Sequence, residues 1–147
     1  MDLPRFDSAH EDRKRPDVEL FTVPNSTIID VVVSNPIAPS HIQSAKKSPL
    51  KVADEAAKKK INKYRQMAEY QNADFTAFAC EALGGLSPDS KRVISLIADI
   101  TEHNCSWLSR ADVVKNINDH IAIIIQRGNA AMVRAADMHR RLPHSNR

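Results

Sequence analysis

The stretch RPDVELFTVPNSTIIDVVVSNP, residues 15–36, decides the expected fold, because its composition describes two strands joined by a turn. Residues 18–23 and 27–33 are rich in the β-branched and aromatic side chains that are typical of strands. Between them, Pro24-Asn25-Ser26 provides residues that favour a turn. We therefore predict a β-hairpin whose return strand runs through Asp30.

Two aspartates stand out in this hairpin. Asp30 lies inside an otherwise apolar strand. An unpaired carboxylate is costly to bury there, so we expect it to meet a cation, a cluster of donors or water at a cleft. Asp17 stands at the entrance of the hairpin, and pairing of the strands can bring it to the same end as Asp30. We expect the two carboxylates within about 6 Å of each other, close enough to share a divalent cation.

The composition describes one mildly basic domain. A chain of 147 residues is long enough for a single core, and 21 Lys and Arg against 18 Asp and Glu give a formal net charge of +3. This charge alone does not indicate a nucleic-acid partner, since the clustering of charge matters more. Three glycines and an aromatic content of 5% favour a helix-dominated mixed fold.

The sequence gives no sign of export or of a membrane span. No apolar run approaches membrane-spanning length, the polar N-terminus is unlike a secretory signal, and the two cysteines form no CxxC unit. We therefore expect an intracellular, reducing setting without membrane contact. The abrupt polar start also suggests a fragment of a longer protein.

A strand, a helix and a further strand are expected in series. Three prolines prevent one continuous element over residues 34–49 and leave room for a short helical turn at 41–46. Residues 74–81 form a second strand candidate, which implies a crossover connection and parallel pairing with one arm of the hairpin. Residues 50–71 predict the connecting helix, with one apolar face made of Ala53, Ala57, Ile61, Tyr64 and Ala68.

Two amphipathic helices should follow. Ser87-Pro88 has the N-cap and first-turn proline of a helix that runs to about Asn104. Residues 109–112 resemble a capping box that opens a last helix, which Pro143 should stop.

The predicted fold class is therefore mixed α+β or α/β and helix-dominated, with a small sheet of a hairpin plus a crossover strand flanked by helices. The expected divisions are a flexible lead-in (1–14), a core (15–86), C-terminal helices packed on that core (87–142) and a tail (143–147).

Several short motifs, taken in order, resemble one family. They are Arg15-Pro16-Asp17, twelve intervening residues, DVVVSNP at 30–36 and KINKY at 60–64, then FTAFACE at 75–81, GGL at 84–86 and IIIQRGNA at 123–130. This pattern resembles the restriction-like endonuclease domain at the C-terminus of reverse transcriptase polyproteins from site-specific non-LTR retrotransposons. That domain belongs to the PD-(D/E)xK nuclease superfamily. The resemblance covers residues 15 to about 135 and implies a restriction-endonuclease-like fold for the core.

The resemblance implies metal-dependent hydrolysis of DNA. Asp17 and Asp30 would hold Mg²⁺ or Mn²⁺, and a lysine would orient the attacking water or stabilise charge on the phosphorane. The superfamily usually carries this lysine two residues after the second aspartate, where this chain has Val32. The compared family places it on the next helix before a tyrosine. Lys63 is therefore the first choice and Lys60 the second.

The same resemblance implies that the partner is DNA and that the protein acts in the nucleus, with upstream reverse transcriptase parts, absent from this sequence, as further partners. We expect Lys59, Lys60 and Lys63 to contact nucleic acid. Two other functions stay open. One is a nucleic-acid-binding remnant without catalysis, and the other is a helical interaction module whose carboxylates are incidental.

Several of these residues also have structural interpretations. Asp17 can start a strand or cap a turn, and the lysines at 58–63 can form a solvated helix face. Glu81 can be a third metal-site carboxylate or a strand-end residue facing solvent, and the second interpretation is favoured. Cys80 is most simply a small buried hydrophobe.

Overall fold

A computed structural model describes residues 16–22 and 24–141. The predicted lead-in at 1–14, the tail at 143–147 and the expected stop at Pro143 lie outside these residues. The elements follow the order β1 (Val18–Leu20), β2 (Thr27–Ser34), α1 (Ile42–Ala45), α2 (Lys51–Tyr70), β3 (Asp74–Glu81), α3 (Pro88–Asn104) and α4 (Arg110–Arg141). The helix-dominated α+β fold class is confirmed.

The three strands form one mixed sheet in the order β1-β2-β3. β1 is antiparallel to β2, with Val18 opposite Ile29, and β3 is parallel to β2, from Thr27 opposite Asp74 to Ser34 opposite Glu81. The hairpin and the parallel crossover strand are therefore both confirmed. β1 is shorter than the predicted residues 18–23, and Phe21 beyond its end is exposed. At the other end, β1 begins at Val18 opposite Ile29, so the second half of β2 has no β1 residue beside it.

Small side chains let α2 approach the sheet closely. Ala53 and Ala57 of α2 pack on Ala77 and Ala79 of β3, and all four are at most 1% exposed. Their contact forms the centre of the core, flanked by Val32 and Ile61. One turn later, Tyr64 stacks on Phe75 with ring centroids 5.2 Å apart. The predicted apolar face of α2 is thus the face that packs on the sheet, with Val52 as a further buried residue.

Alternation along the strands decides which side chains meet α2. Asp30, Val32 and Ser34 lie on the same side of β2, because successive strand residues point to opposite faces. Their partners on β3 are Ala77, Ala79 and Glu81. The carboxylate of Asp30 is therefore on the covered side of the sheet, below the helix.

The cap of α3 joins that helix to the sheet. Ser87 Oγ accepts a hydrogen bond from Ser90 N, as an N-cap should, and Pro88 is the first helical residue. Ser90 Oγ in turn donates to the carbonyl oxygen of Ala79 at 2.7 Å. Because both serines are buried, these bonds satisfy polar groups that water cannot reach.

Two glycines close the turn after β3. Gly84 has a φ of 98°, a conformation that side chains rarely adopt. Gly85 lies against the side chain of Leu50, so that a Cβ there would collide with it. This close approach joins the end of β3 to the start of α2.

α4 begins packed and ends exposed. Ser109 Oγ accepts from Asp112 N at 3.2 Å, so the predicted capping interaction at the start is present. Arg110 Nε donates to Asp99 of α3 at 2.5 Å, and Val113 and Ile125 are buried. The described side chains beyond residue 129 are all exposed. No described helix combines the length and the apolar character that crossing a membrane requires.

Candidate functional site

Asp17 immediately precedes β1, and Asp30 lies within β2. The register ends with Val18 opposite Ile29, so one further step along the same register would set Asp17 opposite Asp30. Asp17 Oδ2 accepts a hydrogen bond from the backbone N–H of Val31 at 2.7 Å. This bond holds the exposed carboxylate of Asp17 beside the backbone of Asp30. Asp17 therefore lies beside the residue that follows Asp30, while the predicted separation of the two carboxylates stays a prediction.

The carboxylate of Asp30 is buried and contacts a lysine. The residue is 3% exposed, and the ammonium nitrogen of Lys60 lies 2.6 Å from its Oδ2. Lys60 belongs to α2, which covers this side of the sheet, and its side chain keeps 31% of its exposure. The sequence left open whether Asp30 meets a cation, donors or water. In the structure it meets the cationic end of a lysine.

The contact between Lys60 and Asp30 is a short ion pair. Oδ2 is buried and has no further hydrogen-bond donor among the described residues, while Lys60 Nζ lies 2.6 Å from it. The hydrogen bond to Asp30 raises the pKa of the Lys60 ammonium above its usual range, and partial burial acts against the rise. The lysine is therefore held in its charged form, while Asp30 Oδ2 retains unused acceptor capacity.

Tyr64 completes the cluster from the next turn of α2. It is 4% exposed, and burial raises the pKa of its hydroxyl, reinforced by the negative charge of Asp30 and opposed by the positive charge of Lys60. The hydroxyl accordingly remains a proton donor near the Asp30 carboxylate. Lys60 Nζ lies 6.0 Å from the centroid of the Tyr64 ring.

The lysine that contacts Asp30 is Lys60, the second choice for the catalytic lysine, and not Lys63, the first. Lys60 and Tyr64 are four residues apart, so they share one face of the helix. Lys63 is exposed, and its Nζ lies 5.3 Å from the centroid of the Tyr64 ring. Lys59 is also exposed. Of the three lysines predicted to bind nucleic acid, two are therefore on the surface and one reaches inward.

Glu81 was expected to face solvent at the end of its strand, and this expectation is wrong. It is 9% exposed rather than open to solvent, because it points to the side of the sheet that α2 covers. Nor does it join Asp30. The partner of Asp30 on β3 is Ala77, and four strand residues span about 13 Å. Cys80, by contrast, is buried as predicted, and burial raises the pKa of its thiol.

The resemblance implies Mg²⁺, and the carboxylates of Asp17 and Asp30 are of the type that binds it. Mg²⁺ is usually held by one or two carboxylates, with water and substrate phosphates completing its shell. Asp17 and Asp30 supply two such carboxylates, and Asp30 Oδ2 has acceptor capacity to spare. Among the described residues, no group of three or more His, Cys, Asp or Glu side chains is placed to hold a metal. A cation here would share Asp30 with Lys60.

Two features of this cluster were not predicted. The carboxylate of Asp17 binds Val31 N, and Tyr64 contributes its hydroxyl as well as its ring. The four-residue spacing of Lys60 and Tyr64 is the signal that could have found the second feature, since Tyr64 is on the face predicted to pack and Lys60 is at the border of that face.

Comparison of this chain with family models, with curated proteins and with solved structures found no match.

Proposed function

We propose that this chain is a metal-dependent endonuclease domain, or a fragment of one, that hydrolyses phosphodiester bonds in DNA. The observation that carries the proposal is the ion pair of Lys60 and Asp30, whose Nζ and Oδ2 are 2.6 Å apart, with Asp17 hydrogen-bonded to the next residue, Val31. Two carboxylates and a lysine are the residue types that the resemblance to restriction-like endonucleases requires. Nuclear action and association with reverse transcriptase parts belong to the same proposal.

Asp17 and Asp30 are the residues that would hold Mg²⁺ or Mn²⁺. Such an ion, when bound, polarises the phosphate and lowers the pKa of a water molecule. Lys60 has a different role. Because Asp30 raises its pKa, Lys60 stays protonated at neutral pH and cannot serve as a general base. It would instead place a positive charge beside a phosphate oxygen on which negative charge develops.

Tyr64 positions the other groups. Its ring stacks on Phe75 and its hydroxyl faces Asp30, so it fixes the turn of α2 from which Lys60 extends. The exposed lysines Lys59 and Lys63 lie on the same helix and would contact the phosphate backbone. Chemistry and binding thus fall to different lysines of one helix.

The test is a nicking assay on supercoiled DNA at saturating DNA concentration. With Mg²⁺ or Mn²⁺, the chain should nick slowly, and chelation should stop the reaction. Asp30→Asn keeps the size of the side chain but removes the charge that attracts the cation, so it should abolish nicking. Lys60→Gln should lower the rate by about 10²-fold or more, a typical loss for one charge-stabilising group. Lys91→Gln, an exposed change on α3, is the control.

Each alternative predicts a distinct outcome. Nicking that survives chelation or persists in Asp30→Asn would reveal a different activity and end the proposal. Absence of nicking in every metal, with salt-sensitive DNA binding intact, would favour a binding remnant. Lys63→Gln decides between the two candidate lysines. A loss as large as that of Lys60→Gln at saturating DNA would return the catalytic assignment to Lys63.

A further inference from the structure

The second half of α4 carries a positive surface that the proposed site does not use. At Asn129 the side-chain Nδ2 donates to the carbonyl oxygen of Ala82 at 2.7 Å, and Ile125 is buried against the body. Beyond residue 129, every described side chain of the helix is exposed. The helix therefore leaves the body at this point and offers its surface to solvent.

Two arginines of this half form a row. Arg127 and Arg134 are exposed and seven residues apart, so they lie on one side of the helix, about 10 Å apart along its axis. Ile125 and Asn129, which contact the body, fall on the roughly opposite side at about 100° per residue. The arginine row, Arg127 and Arg134, thus faces away from the protein.

The arginine row has no acidic partner in the part of the chain that the structure describes. In the first half of this helix, Lys115 pairs with Asp119 at 2.6 Å and Arg110 pairs with Asp99 at 2.5 Å. In the sequence, Asp137 is the sole acidic residue after Asp119, and it has an interaction of its own. Both guanidinium groups of the row are therefore available to an external anion.

The chemistry of the row favours a phosphate as that anion, because a guanidinium binds two phosphate oxygens at once. Ala130 and Ala131 are exposed next to the arginines, and their small side chains would not hold a duplex away from the helix. Ile123 and Met138 are exposed on the same side of the helix, so a lipid surface is the competing occupant, since membrane binding grows with buried apolar area. Duplex DNA is favoured because the proposed function already supplies it as the substrate.

We propose that the arginine row binds the phosphate backbone of duplex DNA, as a second contact surface beside the lysines of α2. This inference rests on the proposed function for the identity of the polymer. It adds a binding surface on a separate element, so the two can fail independently.

The experiment measures binding of a short duplex of arbitrary sequence in EDTA, so that cleavage plays no part. Affinity is followed between about 50 and 200 mM salt. The double variant Arg127→Gln/Arg134→Gln should reduce the slope of log affinity against log salt by about 1.8, since each phosphate contact contributes about 0.9. Arg140→Gln is the matched control, because Arg140 is exposed on the same helix but lies about 120° around it from Arg134. The salt slope of Arg140→Gln should change by less than half of the change per charge that the double variant shows.

Several results would overturn the inference. These are an unchanged slope in the double variant, absence of salt-dependent duplex binding by the parent chain, and an equal loss per charge in Arg140→Gln. The inference would also be overturned if binding to phosphatidylserine vesicles depended on the arginine row and binding to duplex DNA did not. Equal thermal unfolding of all variants checks the fold. If the double variant reduces the salt slope but the parent chain does not nick DNA, the binding role of the row is supported and only the proposed catalysis is contradicted.

Discussion

Two basic helices of this protein use their charges in opposite ways. In α2, Lys60 extends inward and pairs with the buried carboxylate of Asp30 at 2.6 Å. In the second half of α4, Arg127 and Arg134 extend outward and have no acidic partner among the described residues. Composition does not separate the two helices, but packing does. A cation over a covered sheet contributes to stability and to a site, whereas a cation on a free helix contributes mainly to long-range attraction.

The largest expected effect comes from removing the inward cation. Lys60→Met would leave the Asp30 carboxylate, whose side chain is 4% exposed, without its partner. Breaking a buried pair in this way costs about 3 to 5 kcal/mol of unfolding free energy. Urea unfolding would measure it. Lys63→Met, three residues along the same helix and exposed, should stay within about 0.5 kcal/mol.

A double variant tests whether the loss of stability in Lys60→Met comes from the unpaired charge of Asp30. Asp30→Leu combined with Lys60→Met removes both charges, so it should recover much of the stability that Lys60→Met loses. Equal losses in the single and double variants would show that the stem of Lys60, and not its charge, supports the fold.

Alanine substitutions give the next largest contrast. Ala57 is 1% exposed in the closest contact between α2 and β3, so Ala57→Leu should overpack that contact and cost about 1 to 3 kcal/mol. Ala131→Leu, on the exposed half of α4, should change stability by less than about 0.5 kcal/mol. Thermal unfolding of the two variants would compare them directly. A large loss from Ala131→Leu would mean that this half of α4 is packed.

The smallest expected effect is a pH dependence confined to alkaline solution. The pKa values of Lys60 and Tyr64 are both raised in the folded protein, from ordinary values of 10.5 and 10.0. The folded state therefore holds these protons more tightly, and stability should fall as pH rises above about 10. Tyr64→Phe keeps the ring on Phe75 but removes one titrating group, so its decline should be shallower. Tyr70→Phe, at an 89% exposed position, should reproduce the parent slope.

Much of the fold could be predicted because it is encoded locally. Strand β2 and the beginnings of α3 and α4 follow from short-range patterns: β-branched runs, the Ser87-Pro88 cap and the capping residues from Ser109. The apolar face of α2 follows from helical spacing. The length of β1 could not be predicted, because strand pairing depends on partners distant in sequence, and only three residues of β1 pair with β2.

The site was predictable in its carboxylates and less so in its lysine. Asp30 is conspicuous in any apolar strand, and hairpin pairing brings Asp17 beside it. The choice between Lys60 and Lys63 depended on how α2 is rotated over the sheet. Both lysines lie at the border of its apolar face, so the sequence does not fix which of them turns inward. Glu81 was misplaced for a related reason, since whether a strand end is covered depends on the elements that pack there.

The sequence by itself determined that one aspartate precedes a hairpin and another lies in its return strand, and that a basic amphipathic helix crosses over to a parallel strand. The reason is that strand alternation and helical period are properties of neighbouring residues. Only the tertiary structure decided which cation meets Asp30 and which cations stay free. The alanine contacts of Ala53, Ala57, Ala77 and Ala79 set the distance and rotation of α2, and these turn Lys60 inward. α4, which leaves the body after Asn129, keeps its arginines in solvent.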